Sequence, residues 1–246
     1  MDIVITTGGS IDHDIARTYT SYYRGAFEVD DRELQRRGIH RLGNVFIPIQ
    51  NYGPLIEEFT KNFLRMLRES GVVNPSASEL IYHLGLAIGD ENSFLYQAAK
   101  SKIPVFSPGI LDSSFGTNFS LYSKDYGIRL DLVKDMNKLL SLSFDINKSG
   151  AIILGGGISK HHTIWWNQFK GGLDYAIYIT TAVEWDGSLS GARTREAISW
   201  GKINTKARHV TVEGDVTVIF PILMVGLNEL NIKRNGKNLC DILGIS

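Results

Sequence analysis

The segment GAIILGGGISKHH, residues 150–162, contains the pattern that decides the fold of this chain. Apolar residues lead into three consecutive glycines, and a segment of helical character follows them. This order is typical of a buried strand, a tight turn and a helix that begins at the carboxyl end of the strand. Glycines at that point allow backbone N–H groups to approach a phosphate, and the helix N-terminus adds partial positive charge.

A second glycine turn lies near the start of the chain, in ITTGGSIDHD at residues 5–14. It also follows a short apolar run, so both turns occupy the place where ligands bind in parallel sheets. Neither turn matches the strict G-x-G-x-x-G pattern. The sequence therefore leaves two interpretations open, a nucleotide site or tight turns that hold no ligand.

Much of the remaining chain alternates between short apolar runs and helical patterns. Most of the runs are nearly continuous in apolar residues, which is typical of strands buried on both faces of a parallel sheet. Predicted strands cover residues 2–6, 44–48, 103–107, 150–154, 175–180 and 209–213, and predicted helices cover residues 54–70, 77–88 and 129–142. The alternation predicts an α/β fold with a doubly wound, mostly parallel, Rossmann-like sheet. With no repeat or linker in view, we interpret residues 1–246 as one domain.

Composition excludes several classes of protein. Lysine and arginine total 26 of the 246 residues and aspartate and glutamate also total 26, whereas a general nucleic-acid binder carries a basic excess. The longest apolar run, residues 218–226, is too short to span a bilayer and contains a proline. The N-terminus lacks the basic region of a secretory signal, and the only cysteine is Cys240. We therefore predict a cytoplasmic protein that binds neither nucleic acid nor membrane.

Polar residues follow several of the predicted strands. Asp112 follows one strand, Thr181, Glu184 and Asp186 follow another, and Asp215 follows the last. Each of them alone is explained as a helix cap or a turn residue, but together they predict a polar, acidic crevice. Carboxylates at such an edge hold ribose hydroxyls or a cationic ligand.

The His161–His162 pair suggests a metal site, but its spacing argues against one. Adjacent helical residues point roughly 100° apart, whereas metal-binding histidines on a helix are usually four residues apart. We therefore predict no metal site. One histidine that faces the crevice as an acid or a base is the preferred interpretation.

The segment EAISWGK, residues 196–202, ends in a lysine close to a tryptophan. Lys202 is either an ordinary surface charge or a buried amine that performs chemistry. A lysine that attacks carbon must be neutral, which requires burial or a nearby cation. Trp200 would supply an apolar wall and a face for a cationic amine. The pattern alone favours the surface charge.

Longer motifs identify a family. The segments ILGGGISKHH (153–162), VFSPGILDSSFG (105–116) and TTAVEWDGSLSGARTREAISWGK (180–202) closely resemble deoxyhypusine synthases, in particular the archaeal form. The segments ITTGGSIDHD and RLGNVFIPIQNYG (41–53) do so as well. The similarity extends from about residue 2 to the final helix, so it covers essentially the whole chain.

The resemblance implies an NAD-dependent transferase. The family removes a hydride from spermidine, and an active-site lysine then displaces diaminopropane and holds the aminobutyl group as an imine. That group passes to one lysine of the translation initiation factor 5A precursor, and the retained hydride returns. The family also implies a homotetramer, built as a dimer of dimers with active sites at the dimer interface.

Site residues follow from the resemblance one position at a time. Lys202 matches the imine-forming lysine in the Trp-Gly-Lys motif, and His161 matches the histidine near the amine. The positions implied to bind NAD are Thr7, Gly8, Gly9, Asp112, Gly156, Thr181, Ala182, Asp186, Asp215 and Val216. The positions implied to bind the polyamine are Asp12, His13, Gly187, Ser188, Glu196 and Trp200.

The chain departs from the eukaryotic pattern of the family at several positions. Thr117 and Leu189 replace acidic residues, and Asp12-His13 replaces a pair of glutamates. Two carboxylates that anchor the amine are therefore absent. We expect a different pose of the polyamine or a different preferred amine.

Members of the family normally have another βα-containing segment before residue 2, and that segment supplies part of the NAD site. We therefore expect weak NAD binding and little activity from this chain alone. Two alternatives to the leading interpretation stay open. One is an aminobutyl transferase of the homospermidine synthase type, which would use Lys202 with a small diamine acceptor. The other is a non-catalytic or partial subunit that assembles with a second chain.

Overall fold

The computed structural model describes residues 1–231 and 238–245, and it has the α/β architecture with parallel sheets that the sequence predicts. The strands are β1 (Val4–Ile5), β2 (Tyr23–Arg24), β3 (Ile39–Leu42), β4 (Val45–Pro48), β5 (Val105–Phe106), β6 (Gly150–Leu154), β7 (Leu173–Thr180) and β8 (Ile203–Glu213). The helices are α1 (Gly8–Tyr19), α2 (Asp31–Arg36), α3 (Gly53–Glu69), α4 (Ala77–Ile88), α5 (Phe94–Lys100), α6 (Ser114–Tyr122), α7 (Leu132–Asp145), α8 (Ile158–Asn167), α9 (Thr194–Ser199), α10 (Val216–Glu229) and α11 (Leu239–Ile242).

The described residues fall into two compact units. The first unit comprises residues 2–132 and 238–245, and the second unit comprises residues 133–231 together with Met1. The interpretation of residues 1–246 as one domain stays a prediction. None of the described helices is long and apolar enough to cross a lipid bilayer.

The first unit is built around packed helices and two small sheets. Strands β1 and β5 pair in parallel, whereas β2, β4 and β3 form an antiparallel sheet in that order. The apolar residues of α3 recur at helical spacing, so one face of this helix contributes Ile56, Phe63, Leu64 and Leu67 to the core. A capping box at Ser76 fixes the start of α4, whose own apolar face joins the same core.

The second unit contains a three-stranded parallel sheet with the order β6-β7-β8. Ile177 in β7 lies opposite Ile152 in β6 and Val210 in β8. The core of this unit contains Ile153, Ile164, Leu173, Ala176, Tyr178, Ala197 and Ile203. Parallel neighbours require a crossover, and here α8 lies between β6 and β7 and α9 lies between β7 and β8, whereas α10 follows the last strand. The carboxyl ends of the strands therefore share one edge, which carries the glycine turn after β6.

One predicted strand has unexpected neighbours. The run at residues 44–48 forms β4, but it pairs antiparallel with β2 and β3 rather than entering a parallel sheet. Both residues of β2 and three of the four residues of β3 are exposed. Strands of this kind have no apolar run, so a search for buried parallel strands passes over them.

Candidate active site

The glycine turn after β6 adopts a backbone that requires glycine. Gly155 and Gly157 both have φ near +78°, in the left-handed region that side chains disfavour. Gly156 is required for a different reason, because a Cβ atom there would lie 2.4 Å from the Cα atom of Ser190. The turn and the segment around Ser190 are therefore in direct backbone contact.

Lys202 is positioned by the end of α9. Gly201 has φ of +66°, and its N–H donates to the carbonyl oxygen of Ile198 while the N–H of Lys202 donates to that of Ala197. This is the helix termination in which a left-handed glycine reverses the chain. The reversal turns Lys202 inward, where only 9% of the residue is exposed. The alternative of an ordinary surface lysine therefore does not describe this side chain.

Two tryptophans flank the amine of Lys202. Its Nζ atom lies 5.2 Å from the centre of the Trp200 ring and 5.7 Å from the centre of the Trp165 ring. Both distances are within the range of cation–π attraction. Across the described part of the chain, no carboxylate forms an ion pair with this lysine. The two indoles are therefore its principal partners.

The Lys202 side chain lines a pocket of the second unit together with two other predicted site residues, Glu196 and Trp200. The remaining lining residues are Lys160, Ile164, Tyr178, Leu189, Ala192, Arg193 and Ala197. Glu196 is the only carboxylate among the residues that line the pocket. Leu189 also contributes to the wall, so the pocket has an apolar side chain where the eukaryotic pattern has an acid.

Lys160 is a buried member of this pocket that the sequence analysis missed. Its ammonium donates to the carbonyl oxygens of Leu189 and Ala192, both at 2.7 Å, and lies 4.3 Å from the centre of the Tyr178 ring. Only 1% of the residue is exposed. Burial lowers the pKa of Lys160 to about 8, with Glu196 opposing this change and Arg193 adding to it. Nothing in the motif ISKHH signals this burial, because it depends on residues 178–196.

The lowered pKa of Lys160 predicts a dependence of stability on pH. In the unfolded chain this amine holds its proton up to about pH 10.5, whereas in the folded protein it loses it near pH 8. The unfolded state therefore binds more protons between these values, so the free energy of unfolding rises with pH across the window. We expect Lys160→Met to remove an increase on the order of 2 kcal/mol between pH 8 and pH 10.

Urea unfolding of wild type and variant at both pH values measures the rise in the free energy of unfolding. Comparing the two proteins cancels the titration of other groups. Lys170→Met is the matched control, because Lys170 lies in the same unit and pairs with Asp174 outside the pocket. If the free energy of unfolding rises equally with pH in wild type and in Lys160→Met, the lowered pKa of Lys160 is contradicted.

A second pocket lies at the carboxyl ends of the three parallel strands. It contains three of the residues that the resemblance implies for NAD, namely Thr181, Asp215 and Val216, and its other lining residues are Gly155, Thr180 and Gly214. Asp215 caps α10 by accepting hydrogen bonds from the N–H and hydroxyl of Thr217, and the hydroxyl bond is the main reason that its pKa is lowered. The pocket therefore combines small residues, two hydroxyl side chains and a helix N-terminus.

The loop between β7 and α9 carries four further predicted residues. The N–H of Ala182 donates to the Thr180 hydroxyl at 3.0 Å, and the N–H of Ser188 donates to Asp186 at 2.6 Å. Gly187, between Asp186 and Ser188, has φ of +70°. The loop thus extends from the second pocket to residues 189–192, where two carbonyl oxygens accept hydrogen bonds from Lys160.

The two histidines of α8 have different surroundings. The ring of His161 lies 5.5 Å from that of Trp165, with 30° between the planes. His162 instead accepts a hydrogen bond from the indole N–H of Trp166, and burial lowers its pKa to about 4. The described residues contain no group of three His, Cys, Asp or Glu side chains that could hold a metal ion. The absence of a metal site stays a prediction.

The remaining predicted residues belong to the first unit. Thr7 caps α1 by accepting a hydrogen bond from the N–H of Ser10, and Gly8 and Gly9 form the first turn of that helix. A Cβ atom on Gly8 would lie 2.5 Å from the side chain of Ser113, which adjoins Asp112. The ends of β1 and β5 therefore bring the first glycine turn and the Asp112 loop together.

Asp12 and His13 occupy a cluster with two tyrosines. The carboxylate of Asp12 accepts hydrogen bonds from the Tyr52 hydroxyl and from the N–H groups of Ser114 and Phe115, so it caps α6. Asp12 is 1% exposed, and burial raises its pKa despite these bonds. His13 contacts the Tyr22 hydroxyl at 2.7 Å, and burial lowers its pKa. A role of this pair in amine binding stays a prediction, but Asp12 has a structural role as well.

Replacing Asp12 with alanine is expected to lower the free energy of unfolding by roughly 2 kcal/mol or more, because it removes a cap and leaves buried donors unpaired. Urea unfolding at pH 7 measures the loss. Asp31→Ala is the matched control, since Asp31 makes an ion pair with Arg41 at the surface and is expected to matter little. Equal losses in the two variants would contradict the structural role.

Comparison with known proteins connects this geometry to a family. A family model described as deoxyhypusine synthase matches residues 1–227. The "Probable deoxyhypusine synthase" of Sulfolobus acidocaldarius is 54% identical over 227 residues, which cover 92% of this chain and 73% of that protein. The protein of the same name from Thermoplasma acidophilum is 52% identical over 229 residues, covering 91% of this chain and 72% of the relative.

The solved structures agree at the level of the fold. A crystal structure of a "putative deoxyhypusine synthase" from Entamoeba histolytica aligns with a TM-score of 0.63 and covers 96% of this chain and 68% of its own. Its sequence identity is 22%, so it supports the fold alone. The match of residues 1–227 to the family model and the identity above 50% to relatives carry the assignment. The chain belongs to the deoxyhypusine synthase family.

Proposed function

We propose that this chain is an archaeal-type deoxyhypusine synthase that transfers the aminobutyl group of spermidine to a lysine of the translation initiation factor 5A precursor. The observation that carries the proposal is the Lys202 amine, which is buried and flanked by indoles in one pocket with Glu196. A nucleophilic lysine needs an environment of this kind, in which water is excluded and a cationic chain finds an aromatic face.

The second pocket supports NAD as the cofactor. It lies at the carboxyl edge of the parallel sheet, where nucleotides bind in this class of fold, and it includes the N-terminus of α10. Gly155 has a left-handed backbone and open space beside it, so a phosphate can approach the turn closely. Thr181, Asp215 and Val216 would hold the cofactor there, with Gly156, Ala182 and Asp186 supporting them. Bound NAD would supply the acceptor for the hydride and its later return.

The residues of the amine pocket have distinct proposed tasks. Glu196 binds an ammonium group of the polyamine, and Trp200 stacks on its alkyl chain. Lys202 attacks the oxidised carbon, so a new C–N bond forms there while diaminopropane leaves with its own nitrogen. His161, beside Trp165, transfers protons during this exchange. Leu189 in the pocket wall favours a pose in which one ammonium group lies away from that side.

Borohydride trapping tests the proposal directly. The protein is incubated with labelled spermidine and NAD, reduced, and mapped by peptide. At an NAD concentration high enough to offset weak binding, we expect one label on Lys202, and slow transfer of the label to the factor precursor when reduction is omitted. Transfer to putrescine instead would identify an aminobutyl transferase of the homospermidine type. A chain that binds neither NAD nor spermidine and acquires no label would contradict the proposal and favour a non-catalytic subunit.

We also propose that the protein is a cytoplasmic homotetramer, built as a dimer of dimers. Support comes from the resemblance in sequence. Light scattering coupled to size-exclusion chromatography tests the oligomeric state. A mass near that of one chain across the micromolar range would contradict the tetramer.

A further inference from the structure

One face of α8 carries an aromatic row, of which the motifs explain only His161. His161, Trp165 and Phe169 follow one another at four-residue spacing, which places them on one side of the helix and its continuation. The ring centres of Trp165 and Phe169 lie 6.2 Å apart. Trp165 is 39% exposed although it is large and apolar. Its position is therefore not explained by burial in the core.

Trp165 connects the two residues with proposed roles in catalysis. It contacts the ring of His161 on one side, and its own ring centre lies 5.7 Å from Nζ of Lys202 on the other. Trp200 approaches the same amine at 5.2 Å from a different part of the chain. The amine thus lies near two indoles supplied by α8 and by the end of α9.

We propose that Trp165 and Trp200 form a two-indole cage that holds a cation at Lys202, and that Trp165 is a positioning residue for the covalent intermediate. In the free protein the two indoles lie beside the amine of Lys202. In the intermediate the cage holds the protonated imine between Lys202 and an alkyl chain. A protonated imine is flat and weakly hydrated, so an indole face suits it well.

The cage attracts a cation in a pocket that lacks carboxylates of the eukaryotic pattern. Leu189 stands where the eukaryotic pattern has an acid, and Glu196 is the only carboxylate in the pocket lining. An aromatic face attracts a cation without the desolvation cost of another buried carboxylate. The ligand class that fits is therefore a primary amine joined to a short alkyl chain, held as a cation at its reacting end.

This inference rests on the proposed function, but a test with simple reagents separates the two. Butanal is the first probe, because 4-aminobutanal cyclises in water. The amine of Lys202 adds to the aldehyde carbon, one water leaves, and the imine gains a proton. Cyanoborohydride then delivers a hydride to that carbon, giving a secondary amine. Neither NAD nor spermidine takes part.

Cyanate is the second probe, since it adds to the same amine but gives a neutral urea. Both probes require access to Lys202, whereas only the imine is a cation. The ratio of butanal labelling to cyanate labelling at Lys202 therefore measures how well the cage stabilises the protonated imine. A change in access affects both labels and cancels in the ratio. Peptide mapping by mass spectrometry measures both labels.

We expect Trp165→Leu to lower this ratio roughly three- to tenfold and Trp165→Phe to lower it less, since tryptophan attracts cations best among the aromatic residues. Phe169→Leu is the matched control, because Phe169 is 42% exposed and contacts Trp165 and Trp166. Its ratio is expected to stay at the wild-type value. An unchanged ratio in Trp165→Leu, or an equal fall in Phe169→Leu, would overturn the cage.

Failure of the proposed function gives a different pattern. In that case butanal still labels Lys202 and the ratio still depends on Trp165, but spermidine with NAD leaves no label. If wild-type Lys202 reacts with cyanate but never with butanal, the cage is refuted whatever the outcome with spermidine.

Discussion

Replacing Lys202 with arginine is expected to abolish the borohydride-trapped adduct and to lower turnover by at least roughly a thousandfold. Arginine places a positive charge between Trp200 and Trp165, and because its guanidinium stays protonated it forms no imine. The variant therefore retains the cation–π partners of the site and loses only the nucleophile. Polyamine binding, measured by isothermal titration, is expected to change much less than turnover.

Lys206→Arg provides the matched control for this variant. Lys206 is an exposed residue of β8, four positions after Lys202, and it lines neither pocket. Wild-type labelling and turnover are expected for it. An adduct that persists on the Lys202→Arg protein would place the imine on another lysine, and buried Lys160 in the same pocket would be the first candidate.

The sequence pattern predicted the parts of the fold that adjacent residues encode. The strand, glycine turn and helix at residues 150–162 are present as β6, a left-handed turn and α8. The turn at Gly201 is encoded locally as well, because a glycine after a short helix specifies it. Helix α4 has the predicted bounds, since a capping serine and a terminal glycine mark its two ends.

Contacts between distant segments were not predictable in the same way. Lys160 is buried because residues 178, 189 and 192 fold over it, and none of them is near it in sequence. Asp12 caps a helix that begins about 100 residues later. The resemblance assigned Asp12 to the amine, and one sequence contains no signal that reveals its structural partners. The approach of Trp165 to the amine of Lys202 joins α8 to the end of α9, and it was not predictable for the same reason.

The second large effect is expected from Gly156→Ala. This variant tests whether the glycine turn and the wall of the Lys202 pocket depend on the same close backbone contact. A Cβ atom at residue 156 would lie 2.4 Å from both Cα and Oγ of Ser190. A contact with Cα cannot be relieved by a side-chain rotation, so the turn or the 187–192 segment must move. We expect the free energy of unfolding to fall by roughly 1–3 kcal/mol, as in other overpacked sites.

Movement on either side of this contact also disturbs a binding pocket. The turn contributes Gly155 to the second pocket, and the 187–192 segment contributes Leu189 and Ala192 to the first. We therefore expect the Gly156→Ala variant to lose at least about tenfold in NAD affinity and in labelling of Lys202. Urea unfolding measures the stability loss without reference to function, and isothermal titration measures the affinity.

A second variant shows which atoms of Ser190 carry the effect. Adding Ser190→Gly to Gly156→Ala removes the overlaps with Cβ and Oγ but leaves the overlap with Cα. Only partial recovery of the free energy of unfolding is expected if the backbones are in contact. Full recovery would mean that the side chain of Ser190 alone caused the loss. Gly226→Ala is the control, because Gly226 lies inside α10 with open space beside it and alanine favours a helix there. Since that variant is expected to gain slightly in stability, an equal loss in both glycine variants would contradict the close approach at Ser190.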